Sequence, residues 1–324
     1  MKDIITHPTF LWIAGSLVVS GLLLWAVSYV VASYFVYVKT LKRRSKEQWS
    51  REVPQGLEPD AQKMYDIGLQ WGAENASYKQ DVHIVRDGLN LYGEYYDFGY
   101  DKTAMILSGR TEGLRYSYYF AIPYAKNGCN VLVVDPRAHG LSDGSYNTVG
   151  FEESLDDVAW INYLQQNHGV NTVILHGICI GAAGGMLAAT NPDCPSCVKA
   201  IVTEGMFPCF AESVKNHLIE KKKTTKLVHL VDFWKKKFTG HSMKYGPINV
   251  IDKLQIPLLM LHSQEDAYSK PEFAQKLYDL AGSKQKRLVW FSRGKHSMLR
   301  VTDTDLYDLS ITQFLQELSQ KGDK

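Results

Sequence analysis

Val173-Ile-Leu-His-Gly-Ile-Cys-Ile-Gly-Ala-Ala-Gly-Gly-Met186 is the stretch on which the reading of this 324-residue chain turns. An apolar run suited to a buried strand enters Gly177-x-Cys179-x-Gly181 and leaves as a helix of small residues. A nucleophile on such a sharp strand-to-helix turn sits in strained backbone, and the flanking glycines let neighbouring backbone pass close by. The turn also sets the side chain at a helix N-terminus, whose partial positive charge favours a thiolate. In isolation G-x-C-x-G arises by chance, and free cysteines commonly do no more than fill a core. The strand before it and the helix after it make Cys179 a candidate nucleophile.

A nucleophile of this kind needs an acid and a base later in the chain, in that order. The apolar run 258–261 leads into His262-Ser-Gln-Glu-Asp266, and the run 288–291 into Ser-Arg-Gly-Lys-His296. Asp266 is the candidate acid, with Glu265 its rival, and His296 the candidate base. Loops that follow parallel strands gather at one sheet edge, so the three converge although far apart in sequence. An oxyanion hole needs two backbone N–H groups. Ile180 supplies one, and the loop Ser108-Gly109-Arg110-Thr111-Glu112-Gly113 supplies the other, from Arg110 or else Thr111. The Arg110 side chain is expected to be solvated, with binding of an acidic substrate group as the alternative.

Around these residues the pattern is α/β. Two β-rich runs flank the turn dipeptide Asp87-Gly88 and predict a hairpin over 82–96. Apolar runs at 104–107, 131–134, 173–175, 200–202, 258–261 and 288–291 then alternate with helical stretches at 116–126, 151–166, 182–189, 271–280 and 303–318. That order predicts a mostly parallel sheet with helices on both faces. Residues 206–250 interrupt it with a Lys-rich helical insert, a candidate cap over the strand ends. Within it 226–238 puts Leu227, Leu230, Val231, Trp234 and Phe238 on one helical face, flanked by Lys221–Lys223 and Lys235–Lys237. This predicts either a cap docking on anionic lipid or a stripe packed on the sheet.

Residues 10–38 carry no charge, and a 29-residue helix is about 43 Å long, more than the hydrocarbon core of a bilayer. A core helix would show a polar face, and a signal peptide wants its positive charge in front. The run is therefore expected to span a membrane once, with Trp12, Tyr34 and Tyr37 at the interfaces. The organisation expected is a short flank at 1–9, the span at 10–38, a basic segment and helix at 39–80, and the main domain at 81–324.

Charge patterning gives the orientation. The net charge of +2 divides into +5 over 39–51, +6 over 206–250 and −9 elsewhere. Lys2 and Asp3 cancel before the span, so the positive side, and the domain with it, is expected in the cytoplasm. Two basic islands on an acidic body suit local contact with anionic membrane and argue against nucleic-acid binding. The five cysteines lack disulfide-framework spacing. Cys194-Pro-Ser-Cys197 has the C-x-x-C spacing of redox and zinc sites, without a second ligand pair, and is taken as a loop.

Val133-Val-Asp135-Pro-Arg137-Ala-His139-Gly140-Leu-Ser142-Asp-Gly144 resembles the D-x-R-G-H-G-x-S-x-G signature of the serine-aminopeptidase and monoacylglycerol-lipase-like branch of the α/β-hydrolases. The resemblance covers about 82–318. It implies an eight-stranded sheet, a cap between strands six and seven, and hydrolysis of esters, amides or related acyl compounds. His139 then has a structural place. Ala138 stands where the signature has Gly, Ser108-Gly109 where relatives have His-Gly, and Cys179 where most have Ser. Dienelactone hydrolases are similar in using a Cys-Asp-His triad. The expectation is a membrane-anchored acyl hydrolase with a small lipophilic or acyl substrate and no cofactor or metal. An acyltransferase with the same triad and a catalytically silent binding protein remain the alternatives.

Overall fold

The structure, a computed structural model, describes residues 8–322. Residues 1–7, with Lys2 and Asp3 of the charge comparison, lie outside the described residues. Eight strands form one sheet: β1 (Lys79–Arg86), β2 (Leu89–Tyr96), β3 (Lys102–Leu107), β4 (Cys129–Val134), β5 (Thr172–Ile178), β6 (Val198–Glu204), β7 (Leu258–Ser263) and β8 (Lys286–Phe291). Their order is β1-β2-β4-β3-β5-β6-β7-β8. β1 and β2 are antiparallel to each other, β2 is antiparallel to β4, and every other pair is parallel. The expected hairpin closes on Asp87 and Gly88, both at positive φ, the backbone of a tight type I′ turn.

The strands read as unbroken apolar runs because helices cover both faces. Ala104, Ile106, Val131, Val133 and Ile174 pack on one side against α2 (Pro59–Glu74), α3 (Leu114–Lys126) and α10 (Thr304–Gly322). The alternate residues Met105, Leu132, Val134, Val173 and Leu175 pack on the other against α4 (Phe151–His168), α5 (Ile180–Ala189) and α8 (Pro271–Leu280). The short α9 (Leu299–Thr302) precedes α10. Between β6 and β7 the chain leaves the sheet to form α6 (Phe210–Glu220) and α7 (Val228–Thr239).

The long N-terminal helix α1 (Pro8–Leu41) is, among the described residues, the one helix long and apolar enough to cross a membrane. Its first two-thirds touch little: Leu17 is 69% exposed and Leu24 71%. Its last turns are buried in a cluster with α6 and α7. Tyr37 is fully buried, stacked between Phe238 and Tyr146 at 5.7 and 6.0 Å, and Tyr34 packs edge-on against Trp234. These two tyrosines therefore fill a protein interface, not the aqueous rim of a bilayer as their sequence position suggested. Trp234 also donates to Ser33 Oγ at 2.9 Å. The apolar stripe of α7 thus packs on α1, a third outcome beside the lipid and the sheet. Lys235 departs from expectation too. It is buried, its Nζ donates to the His241 carbonyl at 2.8 Å, and burial pulls its pKa down to about 8 despite Glu153 and Asp232 nearby.

The basic segment after α1 is tied to the domain. Arg43 donates to the carbonyls of Gly140 (2.8 Å) and Ser142 (3.2 Å), and Arg51 pairs with Asp135 (2.6 Å) and Glu94 (3.0 Å). Asp135 also accepts from the N–H groups of Leu114 and Leu141. A Cβ at Gly140, whose φ is +48°, would stand 2.2 Å from that carboxylate, so the signature glycine leaves room for the knot. Asp135→Ala takes one of the two carboxylates from Arg51 and the acceptor from the buried Leu114 and part-buried Leu141 amides, so it should cost about 3 kcal/mol or more in urea unfolding. Asp135→Asn, which keeps the shape, should cost less.

Candidate active site

Cys179 caps the N-terminus of α5 with φ 56° and ψ −112°, a left-handed backbone that non-glycine residues rarely adopt. The turn is possible only because its neighbours are glycine. A Cβ on Gly177 would lie 2.4 Å from Ala182 Cα, and one on Gly181 would lie 2.0 Å from the Leu107 carbonyl oxygen. The end of β6 steadies the turn from beneath, where Cys179 N–H donates to the Glu204 carbonyl at 2.9 Å.

His296 reaches the same place from the loop after β8. Its Nδ1 meets Asp266 Oδ2 at 2.7 Å, and the ring lies close enough to Cys179 to feel its charge. Asp266 is itself held, its Oδ1 accepting from Tyr268 N–H (2.9 Å) and Ser269 N–H (2.8 Å). The rival Glu265 turns away and accepts from Gly294 N–H at 3.3 Å. Burial works against a charged His296, but the negative charges of Cys179 and Asp266 outweigh it and hold the ring well above its ordinary pKa. Burial likewise opposes ionised Asp266, and the His296 charge and hydrogen bond overcome it, leaving the carboxyl below its usual range.

The loop after β3 lies beside Cys179. A Cβ on Gly109 would stand 3.7 Å from Cys179 Cβ, and Ile180 is the first residue of α5. The Arg110 side chain is not solvated as expected. Its Nη1 donates to the Thr40 carbonyl of α1 at 2.9 Å. The Arg110 carbonyl faces His139 Nε2, and His139 is fully buried under the stacked ring of Trp49, 4.7 Å away. That is the structural place expected for His139. Cys194 and Cys197 follow α5 at the other end, away from the three candidate residues; their thiols are free, and burial raises the Cys194 pKa to about 12.

A cavity of about 1560 Å³ opens onto Cys179 and His296. It runs past Tyr65 and Arg110 to Val231 of the insert and to Val36 and Thr40 of α1. Two groups near the site escaped the sequence reading. Trp49 carries no motif. Glu204 is the last residue of an ordinary strand, yet it is buried behind His296, bonded to Tyr307 Oη (2.6 Å) and Leu299 N–H (3.0 Å). Burial raises its pKa to about 7 against those two hydrogen bonds.

Because Cys179 supplies part of the charge that holds His296 protonated, Cys179→Ala should move the imidazole titration to lower pH. Ring resonances followed by NMR across pH 5–10 would measure this, and an unmoved midpoint would separate the two groups.

Residues 105–240 match the α/β-hydrolase fold family, and residues 248–304 match the serine aminopeptidase family S33. The uncharacterized protein YqkD of Bacillus subtilis is 27% identical over 221 residues, 67% of this chain and 72% of that one. Among solved structures, the esterase Pf2001 of Pyrococcus furiosus superposes with a TM-score of 0.64 at 22% identity, covering 84% of this chain and 98% of that one. An alpha-beta hydrolase of Vibrio vulnificus superposes at 0.58 with 16% identity, covering 85% and 99%. The eight-stranded sheet with its strand order, the strand-to-helix turn at Cys179 and the two family matches lead to one assignment: this chain is a member of the α/β-hydrolase superfamily.

Proposed function

We propose that this chain is a membrane-anchored acyl hydrolase that works through a covalent acyl-enzyme on Cys179. The observation that carries the reading is the line Cys179–His296–Asp266, with the nucleophile on a strained turn at the floor of a large cavity. His296 takes or holds the thiol proton while Cys179 Sγ attacks the acyl carbon. Negative charge then develops on the carbonyl oxygen, and the N–H groups of Ile180 and Arg110 receive it. As the tetrahedral species collapses, His296 gives its proton to the leaving alcohol or thiol. A water molecule, deprotonated by His296, hydrolyses the thioester and frees the acid.

The thiolate is a good nucleophile and a good leaving group, which favours activated esters and thioesters over amides. The cavity exceeds the roughly 300–1,000 Å³ that encloses a drug-sized ligand, and Phe210, Leu227, Val228, Val231 and Met243 line it. These side chains suit an apolar acyl chain. That the structural neighbour Pf2001 is an esterase points the same way.

Membrane anchoring rests on α1. Twenty residues of helix cover about 30 Å, the thickness of bilayer hydrocarbon. Counted from Leu11 they end near Val30, just before Ser33 enters the contact with α7. The exposed part of the helix is therefore the length a bilayer would cover. The insert then sits at the membrane surface, with Phe233 (54% exposed) and Phe238 (43%) beside Lys236 and Lys237, a mixture that suits anionic lipid. The charge after α1 orients the domain toward the cytoplasm.

Turnover of p-nitrophenyl esters should show a burst of p-nitrophenol equal to the enzyme present. Cys179→Ala and His296→Ala should each lower kcat by about three orders of magnitude or more; near wild-type turnover in either would overturn the assignment. In intact cells the domain should resist external protease, and salt washing should leave the chain in the membrane fraction. Cleavage from outside would reverse the topology.

A further inference from the structure

We propose that the last turn of the N-terminal helix α1 is a positioning element of the active site: the Thr40 carbonyl grips the Arg110 guanidinium and so fixes the oxyanion loop over Cys179. The proposal rests on the acyl-enzyme reading above and adds a role for α1 beyond attachment.

The last four carbonyls of a helix have no partner within it, and they form the negative end of its dipole. In α1 the catalytic domain supplies partners for two of them. Leu41 O accepts from Asn147 N–H at 2.9 Å, and Thr40 O accepts from Arg110 Nη1 at 2.9 Å. A guanidinium is well matched to this place, being cationic at any working pH and able to donate from a fixed plane. Seventy residues separate the two partners.

Arg110 is gripped from both ends. Its side chain meets α1, and its carbonyl meets His139 Nε2. His139 in turn lies under Trp49, whose carbonyl accepts from Gly140 N–H at 2.7 Å. Trp49 holds a left-handed φ of 55°, a strained conformation that persists only where the surroundings impose it. Arg43 closes the circuit with its bonds to the Gly140 and Ser142 carbonyls. The segment leaving α1 thus wraps the loop that carries His139, while the helix end holds Arg110 directly.

An oxyanion donor acts only if its N–H is aimed at the developing charge, and losing one such donor costs about 10²–10³-fold in kcat. Freeing the Arg110 side chain leaves its backbone N–H present but less well aimed. The effect belongs on kcat and not on KM, because the charge it meets exists in the transition state. A guanidinium that instead held an anionic substrate would act on KM.

The test uses full-length protein in nanodiscs with a neutral substrate, p-nitrophenyl butyrate. Arg110→Met should lower kcat about 10–100-fold with KM within about threefold of wild type, and Arg110→Lys should recover part of the loss. Tyr37→Ala, which loosens the seat of α1 between Phe238 and Tyr146, should lower kcat in the same sense. If both act through the one contact, the double variant should be no slower than Arg110→Met alone. Thermal unfolding of each variant excludes global loss of structure, and Arg110→Lys and Tyr37→Ala keep the test open if Arg110→Met does not fold. Wild-type kcat in Arg110→Met, a loss confined to KM, or additive losses in the double variant would overturn the positioning role while Cys179→Ala still abolished turnover. Unchanged turnover in Cys179→Ala would overturn the acyl-enzyme reading, and this role with it.

Discussion

The nearness of two backbones governs this site. Gly181, at the start of α5, lies so close to Leu107, at the end of β3, that a methyl group would stand 2.0 Å from the Leu107 carbonyl oxygen. That approach forces Cys179 into its left-handed conformation and lifts its side chain out of the sheet edge. It also delivers the chain, two residues past Leu107, to Gly109 beside Cys179 Cβ. The Cys179 turn and the loop beside it are thus consequences of one contact between a strand and a helix, made possible by the absence of one side chain. The parallel register of β3 against β5, with Leu107 opposite Gly177, carries the same constraint back into the sheet.

Much of this was legible because glycine and alternation are local signals. Gly177 and Gly181 flag the turn, and the apolar runs flag strands buried on both faces. Asp266 and His296 follow the last two runs, and the sheet edge brings their side chains into contact. What was not legible depends on partners far away. Arg51 meets Asp135 across 84 positions, and Arg110 meets Thr40 across 70. Charge counting treats such residues as solvated, since an arginine's partner carbonyl leaves no trace in the sequence. Lys235 failed for the same reason. Its place in a run of three lysines marks it as a surface residue, while the helix phase turns it inward to His241. Glu204 escaped because burial, not spacing, gives it its character.

The electrostatics are as economical as the geometry. His296 stands near three groups that can be negative, Cys179, Asp266 and, behind it, Glu204. Glu204 sits on β6 and offers its main-chain carbonyl to the Cys179 N–H, so one residue touches both the turn and the surroundings of His296. With its pKa near 7, burial keeps this carboxyl uncharged over much of the acid range. Folding stability linked to it is present at low pH and falls as pH rises through that value, because the unfolded carboxyl ionises freely near 4 and the folded one does not.

The N-terminal helix changes character along its length, and the change explains its architecture. Its exposed stretch is apolar on every side, as a helix in lipid would be. From Ser33 onward it becomes one more wall of the domain, with Tyr37 and Leu41 fully buried and two of its final carbonyls bonded to Asn147 and Arg110. A flexible tether would need none of this. Rigid attachment instead fixes the height and tilt of the cavity relative to the helix, and Val36, Lys39 and Thr40 line the same space as Cys179. On the acyl-hydrolase reading proposed above, an apolar substrate approaching along the helix would pass directly from it into the space that Cys179 lines.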